Sequence, residues 1–341
     1  MTAAAAAAAA TATAVTTVLA VELEVERRDV TVQAGFELEE GQRLALFGTS
    51  GAGKTTILES IAGLVRLSRG TVRVDGRLVA GSANGESPLP PRNRGVALVR
   101  QPTTLFPHLT VEQNVAYGIR HSPSHSRVAD LLDRLGLTAL ARARGAALSG
   151  GQRQRVALGR ALASPFRVLL LDEPLSAVDV AARSGLRELT IEMADDRGAA
   201  GVLVTHDLTE AQAFGGQLGI IDGGLLLQVG GAHEVALSPA SRRVAELVGY
   251  GGFVPVPSDP SRWYAIHPDR VLLGARSEHG LVLTGTILST RAFGPRYECA
   301  VGLSSGEQFT VHVDEAPGVG VECDVTALNP PVVGAEETTA R

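Results

Sequence analysis

Apolar and polar positions change period several times along the chain, and each change predicts an element. "LAVELEVE" (19–26) alternates with a period of two, and "RLALFG" (43–48) is a short apolar run. Both predict strands within residues 19–47. From Thr55 the period turns helical, with Ile57, Leu58, Ile61 and Leu64 on one face. "GTVRVDGRLV" (70–79) predicts a hairpin at Asp75-Gly76, a pair suited to the positive-φ positions of a tight turn. "GSANGESPLPPRNRG" (81–95) is a polar, Pro/Gly-rich loop, and "VALVRQ" (96–101) a short strand. Residues 127–142 predict a small amphipathic helix, and "LSGGQRQRVALGRALA" (148–163) a second helix capped by Ser149. "RVLLLDEP" (167–174) is apolar at successive positions, as a strand buried on both faces requires, and "AAGVLVTHD" (199–207) is similar. Strands alternating with helices predict an α/β fold with a parallel sheet.

The texture changes after Gly249. "GYGGFVPVPSDP" (249–260) predicts a linker. Short alternating segments follow: "LVLTGTIL", "YECAVGL", "QFTVHV" and "VECDVTA" within 281–327, with a turn at Ser305-Gly306. They predict a small all-β domain. The chain thus divides into a low-complexity tail (1–17), an α/β domain (18–248), a β domain (255–330) and a loose polar tail (331–341), with no internal repeat.

The length of 341 residues fits two domains, and 45% hydrophobic with 20% charged residues supports a sizeable core. The net charge of −5, without a basic patch, argues against nucleic acid as a partner. Cys299 and Cys323 suit neither a disulfide framework nor a common metal site and read as buried thiols. Residues 1–21 carry no charge, but Ala and Thr drive insertion poorly, so an extension is expected there rather than a membrane span. The 31 basic residues include a single lysine, Lys54.

That lysine sits in "GTSGAGKT", which fits G-x-x-x-x-G-K-[ST] at Gly48, Gly53, Lys54 and Thr55, after a strand and before a helix. In that setting backbone N–H groups of Thr49, Ser50, Gly51, Ala52 and Gly53 cradle phosphates. Lys54 reaches the β/γ oxygens, and the Thr55 hydroxyl binds Mg²⁺. Asp172 ends a strand where it can bind Mg²⁺, and Glu173 stands next to it, placed to polarise an attacking water. His206 ends the neighbouring strand, on the sheet edge where α/β proteins bind ligands. Ser149, Gly150, Gly151 and Gln152 open a second anion-accepting helix N-terminus.

These motifs occur in the order and at the spacing of an ABC-type ATPase, which the chain resembles over about residues 18–245. Gly48–Thr55 resemble its Walker A loop, with Thr56 next to it also expected to bind ATP, Gln101 the Q-loop, Leu148–Gln152 the "LSGGQ" signature, Leu169–Glu173 Walker B, Ser176–Asp179 the D-loop and His206 the switch histidine. The resemblance implies a RecA-like core with a helical subdomain at about 102–156. It implies ATP and Mg²⁺ as cofactors, with Thr55, Gln101 and Asp172 as metal ligands, Glu173 and His206 as catalytic residues and Asp179 as the D-loop acid. It also implies a head-to-tail homodimer in which Ser149, Gly150, Gly151 and Gln152 close over the partner's ATP. Two departures stand out. No aromatic precedes Phe36 to stack on adenine, leaving an arginine such as Arg28, and Arg100 occupies an often aromatic position.

"LFPHLTVEQNVAYG" (105–118) resembles importer-type members, with Leu105, Phe106 and Leu109 expected in a groove for a membrane permease, or else in the core. The β domain resembles the OB-like (TOBE-type) barrel of importer ATPases, its lead-in being "WYAIHPDRVLL" (263–273). Ser289, Thr290 and Arg291 are either oxyanion ligands or ordinary turn residues. Ala52 and the loop 81–95 resemble molybdate-type subunits. The expected function is therefore ATP hydrolysis at the cytoplasmic face of the membrane, powering uptake of molybdate. Iron(III), sulfate or polyamine are the alternative cargoes, an extracytoplasmic binding protein an indirect partner, and a non-transport ABC ATPase the alternative class.

Overall fold

The computed structural model describes residues 16–81, 88–119, 125–275, 277 and 280–335. Contacts sort the chain into two compact units. One comprises residues up to 45 with 53–205 and 223–225, the other residues 46–52 with 206–222 and 226–341.

The first unit contains, in chain order, β1 (Thr17–Glu26), β2 (Thr31–Glu39), the start of β3 (Arg43–Gly48), α1 (Lys54–Ala62), β4 (Arg69–Val74), β5 (Arg77–Gly81), β6 (Val96–Val99), α2 (Val111–Ala116), α3 (His125–Arg134), α4 (Gly150–Ala163), β7 (Val168–Asp172), α5 (Val180–Asp195) and β8 (Ala200–Thr205). β1 pairs antiparallel with β2 and β4, and β4 with β5 through the turn at Asp75-Gly76. β6, β7 and β8 run parallel, with Leu169 between Ala97 and Gly201 and Asp172 opposite Val204. Every residue of β7 and β8 is buried, as the unbroken apolar runs require. Crossovers of the β-α-β kind carry the chain between these parallel strands.

Helix α1 packs on β6 and β7. Its Ile57, Leu58 and Ile61 are fully buried, each worth about 1.5–3 kcal/mol of transfer free energy. Leu64 does not continue that face. The helix stops at Gly63, which adopts φ 84°, and Leu64 is half exposed. Buried Arg94 completes the stop, donating from Nη1 to the Ser60 and Ile61 carbonyls at 3.1 and 2.9 Å and from Nε to Leu89 O at 2.9 Å. Between β6 and β7, α2 and α3 pack against α4.

Two elements differ from the sequence reading of this unit. β2 was not expected, although Val32, Ala34, Phe36 and Leu38 alternate inward, because small Ala34 and Gly35 dilute its apolar signal. The helix expected over 127–142 ends at Arg134, where Gly136 takes φ 65° and a short 3₁₀ turn follows at Thr138–Leu140. The tail of residues 1–17 and the loop 81–95 fall partly outside the described residues, at 1–15 and 82–87.

The second unit contains the end of β3 and the loop to Ala52, then α6 (Leu208–Phe214), β9 (Gln217–Asp222), β10 (Leu225–Gly231), α7 (Ala232–Leu237), α8 (Arg242–Leu247) and the small β domain. In that domain β11 (Gly252–Val256), β12 (Asp259–Ile266), β13 (Val271–Leu273), β14 (Gly280–Phe293), β15 (Arg296–Leu303), β16 (Gln308–Val313), β17 (Glu322–Leu328) and β18 (Val332–Gly334) form two sheets. Their orders are β11-β12-β18 and β13-β17-β14-β15-β16. The five-stranded sheet curls, with a bulge at Ile287–Ser289 and contact between its edge strands β13 and β16. Both sheets supply one core, which includes Val254, Ile266, Ile287, Cys299, Val301 and Phe309. Cys299 is buried and Cys323 only half buried.

Two segments expected to be irregular are strands here. The stretch read as a linker becomes β11, an edge strand, where Pro255 is tolerated. The stretch read as a tail supplies β18, with Val333 buried against β12. The sequence signal was masked by proline in both.

Candidate functional site

The loop from Gly48 to Gly53 turns β3 into α1 through glycines at left-handed φ, 81° at Gly51 and 104° at Gly53. Close packing fixes two of its glycines. A Cβ on Gly48 would stand 2.0 Å from the Ile221 carbonyl oxygen, and one on Gly53 2.8 Å from Val32 Cγ2. Thr49 Oγ1 donates to Asp222 Oδ1 at 3.0 Å, and Arg243 Nε holds the other oxygen of that carboxylate at 2.7 Å. No side chain caps α1, and no acid lies in its first turn. Its first N–H groups therefore lack an intrahelical acceptor and face an anion's place.

Lys54, the first residue of α1, is buried at 7% exposure, and Asp172 at 4%. Burial pulls the Lys54 ammonium below the usual lysine range, while Glu173 and Asp172 pull the other way. Burial likewise pushes Asp172 up, opposed first by its hydrogen bond from Thr55 and reinforced by Glu173 and Glu59. Thr55 Oγ1 lies 3.2 and 3.0 Å from the two Asp172 oxygens. A desolvated cation and a desolvated carboxylate sit side by side, so both gain from an anion and a cation arriving together. The oxygens of Thr55 and Asp172 are hard donors of the kind Mg²⁺ takes along with phosphate oxygens.

Glu173 has φ 46°, a left-handed conformation costing a non-glycine residue roughly 1–2 kcal/mol. Bonds on both sides hold it there. Its N–H donates to Val204 O on β8 at 3.0 Å, and its carbonyl accepts from Gln154 Nε2 at 3.2 Å and Ser176 Oγ at 3.1 Å. Gln101 follows β6, and its Nε2 donates to Ser176 Oγ at 3.4 Å, so the fold brings it to the 173–176 turn. His206 directly follows β8 and is exposed.

Ser149 caps α4 in a reciprocal box. Gln152 N–H donates to Ser149 Oγ at 3.2 Å, and Ser149 N–H donates to Gln152 Oε1 at 2.9 Å. Gly150 and Gly151 lie against the turn after Glu173, where a Cβ on Gly151 would stand 2.8 Å from Ala177 O. Asp179 caps α5 by accepting from Ala182 N–H at 3.0 Å and takes Arg155 Nη2 at 2.7 Å. Sequence reasoning passed over Gln154, Asp222, Arg94 and Asn114, and named Ser176 only as the start of the D-loop. Only Gln154 carried a signal, as a polar residue three and four positions before the apolar Ala157 and Leu158 on the buried face of α4.

Between β6 and α4, fully buried Asn114 organises the 105–110 loop, accepting from Phe106 N–H and donating to the carbonyls of Phe106, Leu109 and Thr110. Phe106 meets the Tyr117 ring at 4.4 Å, with the Arg160 guanidinium 5.0 Å from its centre, and Tyr117 is 64% exposed. Leu105, Phe106 and Leu109 are each half buried, so neither expected reading, groove or core, is excluded. Arg100, at the position noted as often aromatic, pairs with Glu59 at 2.6 Å, and Arg28 is exposed after β1. In the β domain, Arg291 is committed to Glu298 and Thr290 Oγ1 to Pro317 O.

Residues 32–176 match the family model described as "ABC transporter". The chain is 39% identical over 225 residues to the Fe(3+) ions import ATP-binding protein FbpC of Mesorhizobium japonicum, covering 64% of this chain and 62% of that protein. It is 41% identical over 227 residues to the sulfate/thiosulfate import ATP-binding protein CysA 2 of Chromobacterium violaceum, covering 65% and 60%. With the Fe(3+) ions import ATP-binding protein FbpC 1 of Rhodococcus jostii it shares 38% over 247 residues, 72% of this chain and 70% of that one. The chain thus spans about 60% of the length of the first two relatives. A solved structure, the dimeric post-hydrolysis state of the ATP-binding cassette MJ0796 bound to ADP and Pi, superposes with TM-score 0.54 at 26% identity. It covers 63% of this chain and 98% of that one.

Proposed function

Since the chain belongs to the ABC transporter family, we propose that it is the ATP-hydrolysing subunit of an importer, working as a homodimer on a membrane permease. The observation that carries this reading is the cluster of buried Lys54 and Asp172 with exposed Thr55 and half-buried Glu173 beside an uncapped helix N-terminus. The backbone N–H groups of Thr49 to Thr56 and the Lys54 ammonium hold the triphosphate. Thr55 and Asp172, joined by Gln101, hold Mg²⁺, which when bound neutralises charge on the β and γ phosphate oxygens. Glu173 orients the attacking water and takes its proton as the new P–O bond forms and the bond to the ADP leaving oxygen breaks. His206 steadies the γ-phosphate. Ser149, Gly150, Gly151 and Gln152 of one copy close over the nucleotide of the other, and Asp179 lies at that junction. The name of the solved neighbour, a dimeric cassette with ADP and Pi, supports this assembly.

The chain acts at the cytoplasmic face of the membrane, its permease contact centred on Phe106 and Tyr117. No helix among the described residues is long and apolar enough to cross. The β domain is read as the OB-like regulatory module. Molybdate is the cargo favoured by Ala52 and the 81–95 loop, and six of that loop's residues lie outside the described ones. Iron(III) and sulfate are the alternatives that the relatives' names support.

Phosphate release by purified Glu173→Gln tests the site. Turnover falls about 10²- to 10⁴-fold while ATP is retained and light scattering reports a dimer. Near-normal turnover, or a strictly monomeric ATP-loaded variant, refutes it. Stimulation of the reconstituted complex by a binding protein loaded with molybdate, iron(III) or sulfate selects the cargo.

A further inference from the structure

One buried amide joins the start of α4 to the turn after β7. Gln154 lies one turn into α4 and is 5% exposed. Its Nε2 donates to the Glu173 carbonyl at 3.2 Å and to Ser176 Oγ at 3.0 Å, while its Oε1 accepts the Ala177 N–H at 2.8 Å. The same residue, Ala177, has its carbonyl packed against Gly151 on the first turn of α4. Ser176 Oγ also receives Gln101 Nε2 and donates to the Glu173 carbonyl. Glu173 itself is held at φ 46°, and its carbonyl accepts from Gln154 Nε2 and from the hydroxyl and backbone N–H of Ser176.

We propose that Gln154 is a positioning residue for hydrolysis: it fixes the left-handed backbone at Glu173 and locks that turn to the first turn of α4. This rests on the preceding reading, in which Glu173 serves the subunit's own nucleotide and the first turn of α4 serves the partner's. Each amide end has a distinct task. The NH₂ group satisfies the carbonyl that a strained residue turns inward, and the oxygen anchors the loop that touches Gly151. An apolar side chain of equal length fills the space and does neither, leaving a buried N–H and a carbonyl without these partners. A shift of about 1 Å in a reacting group costs on the order of 10²-fold in rate, so the effect falls on turnover and not on nucleotide binding.

The test compares full-length wild type, Gln154→Met, Glu173→Gln and the double variant by steady-state phosphate release, ATP titration and thermal unfolding with and without ATP. Gln154→Met is expected to lose about 10- to 100-fold in kcat, with ATP affinity within about 3-fold and the ATP-induced rise in unfolding midpoint kept. Glu173→Gln is expected to mask that loss, because a residue acting through Glu173 has nothing left to position. Ser176→Ala, at an exposed position, removes the hydroxyl donor and leaves the backbone N–H, and gives a smaller loss that Glu173→Gln also masks; it decides the matter if Gln154→Met does not fold. The proposal is overturned by a kcat within about 2-fold of wild type, by turnover and ATP affinity falling together, or by undiminished losses in the Glu173→Gln background. A wild-type chain that binds ATP without hydrolysing it overturns the functional reading, and this one with it. Normal wild-type turnover that ignores Gln154 overturns this one alone.

Discussion

Glycine precedes α1 and fills the first positions of α4, and the chain treats the two N-termini in opposite ways. At α1 the cap is Gly53 in a left-handed conformation with no side-chain acceptor, and the first residue is a buried lysine. At α4 the cap is Ser149, whose hydroxyl and Gln152 satisfy one another's backbone N–H groups, and the first turn is packed on Ala177. An open helix end with a desolvated cation is built to receive an anion from solvent. A self-satisfied end is held rigid and presents a surface that has already been shaped. In the proposed reading one helix binds and the other closes, the division of labour that a head-to-tail dimer requires.

Six substitutions break or sharpen this contrast. The largest effect is expected from Lys54→Ala, which removes the cation from α1. ATP affinity drops about 10- to 100-fold, the worth of a hydrogen bond to a charged group, in an equilibrium titration. Ser149→Ala leaves that affinity within about 3-fold, because α4 does not hold the subunit's own nucleotide. Next, Gly151→Ala and Gly51→Ala separate packing from backbone freedom. The first drives a Cβ to 2.8 Å from Ala177 O and costs about 1–3 kcal/mol of overpacking in chemical denaturation. The second meets nothing within 4 Å and costs only its φ of 81°, about 1 kcal/mol.

Third, Ser149→Ala loses the α4 cap and about 1 kcal/mol of stability by the same measurement. The corresponding change at α1, Gly53→Ala, collides with Val32 instead, since no cap exists there to lose.

The smallest effect has the opposite sign. Asp172 is held above its usual range, chiefly by burial, so the native state binds its proton more tightly than the unfolded chain does. Ionisation therefore subtracts stability at neutral pH, and the loss fades as the pH falls through the raised native value and is gone below the ordinary aspartate value. Asp172→Asn is expected to raise the nucleotide-free unfolding free energy at pH 8 by about 0.5 kcal/mol, with a higher midpoint, and by less at pH 4. A lower midpoint at pH 8 shows that the Thr55 hydrogen bond outweighs the desolvation.

Much of this was legible in the chain itself. The single lysine, the spacing of Gly48, Gly53 and Thr55, and the apolar run ending at Asp172 fix the strand, loop and helix that carry the chemistry, because each is a local pattern with a local cause. The hairpin at Asp75-Gly76 and the cap at Ser149 were legible for the same reason. What escaped was long-range. Proline hid β11 and β18, whose identity as strands comes from their pairing with β12. Arg94 looked like one polar loop residue among many, yet it closes the end of α1 from 31 to 34 residues away in sequence, at Ser60, Ile61 and Gly63. Gln154 looked like a blemish on an apolar helix face. Hydrophobic period and turn chemistry act over a few residues, so sequence determines them directly. Which amide meets which strained carbonyl depends on packing α4 against the end of β7, and only the tertiary structure decides that.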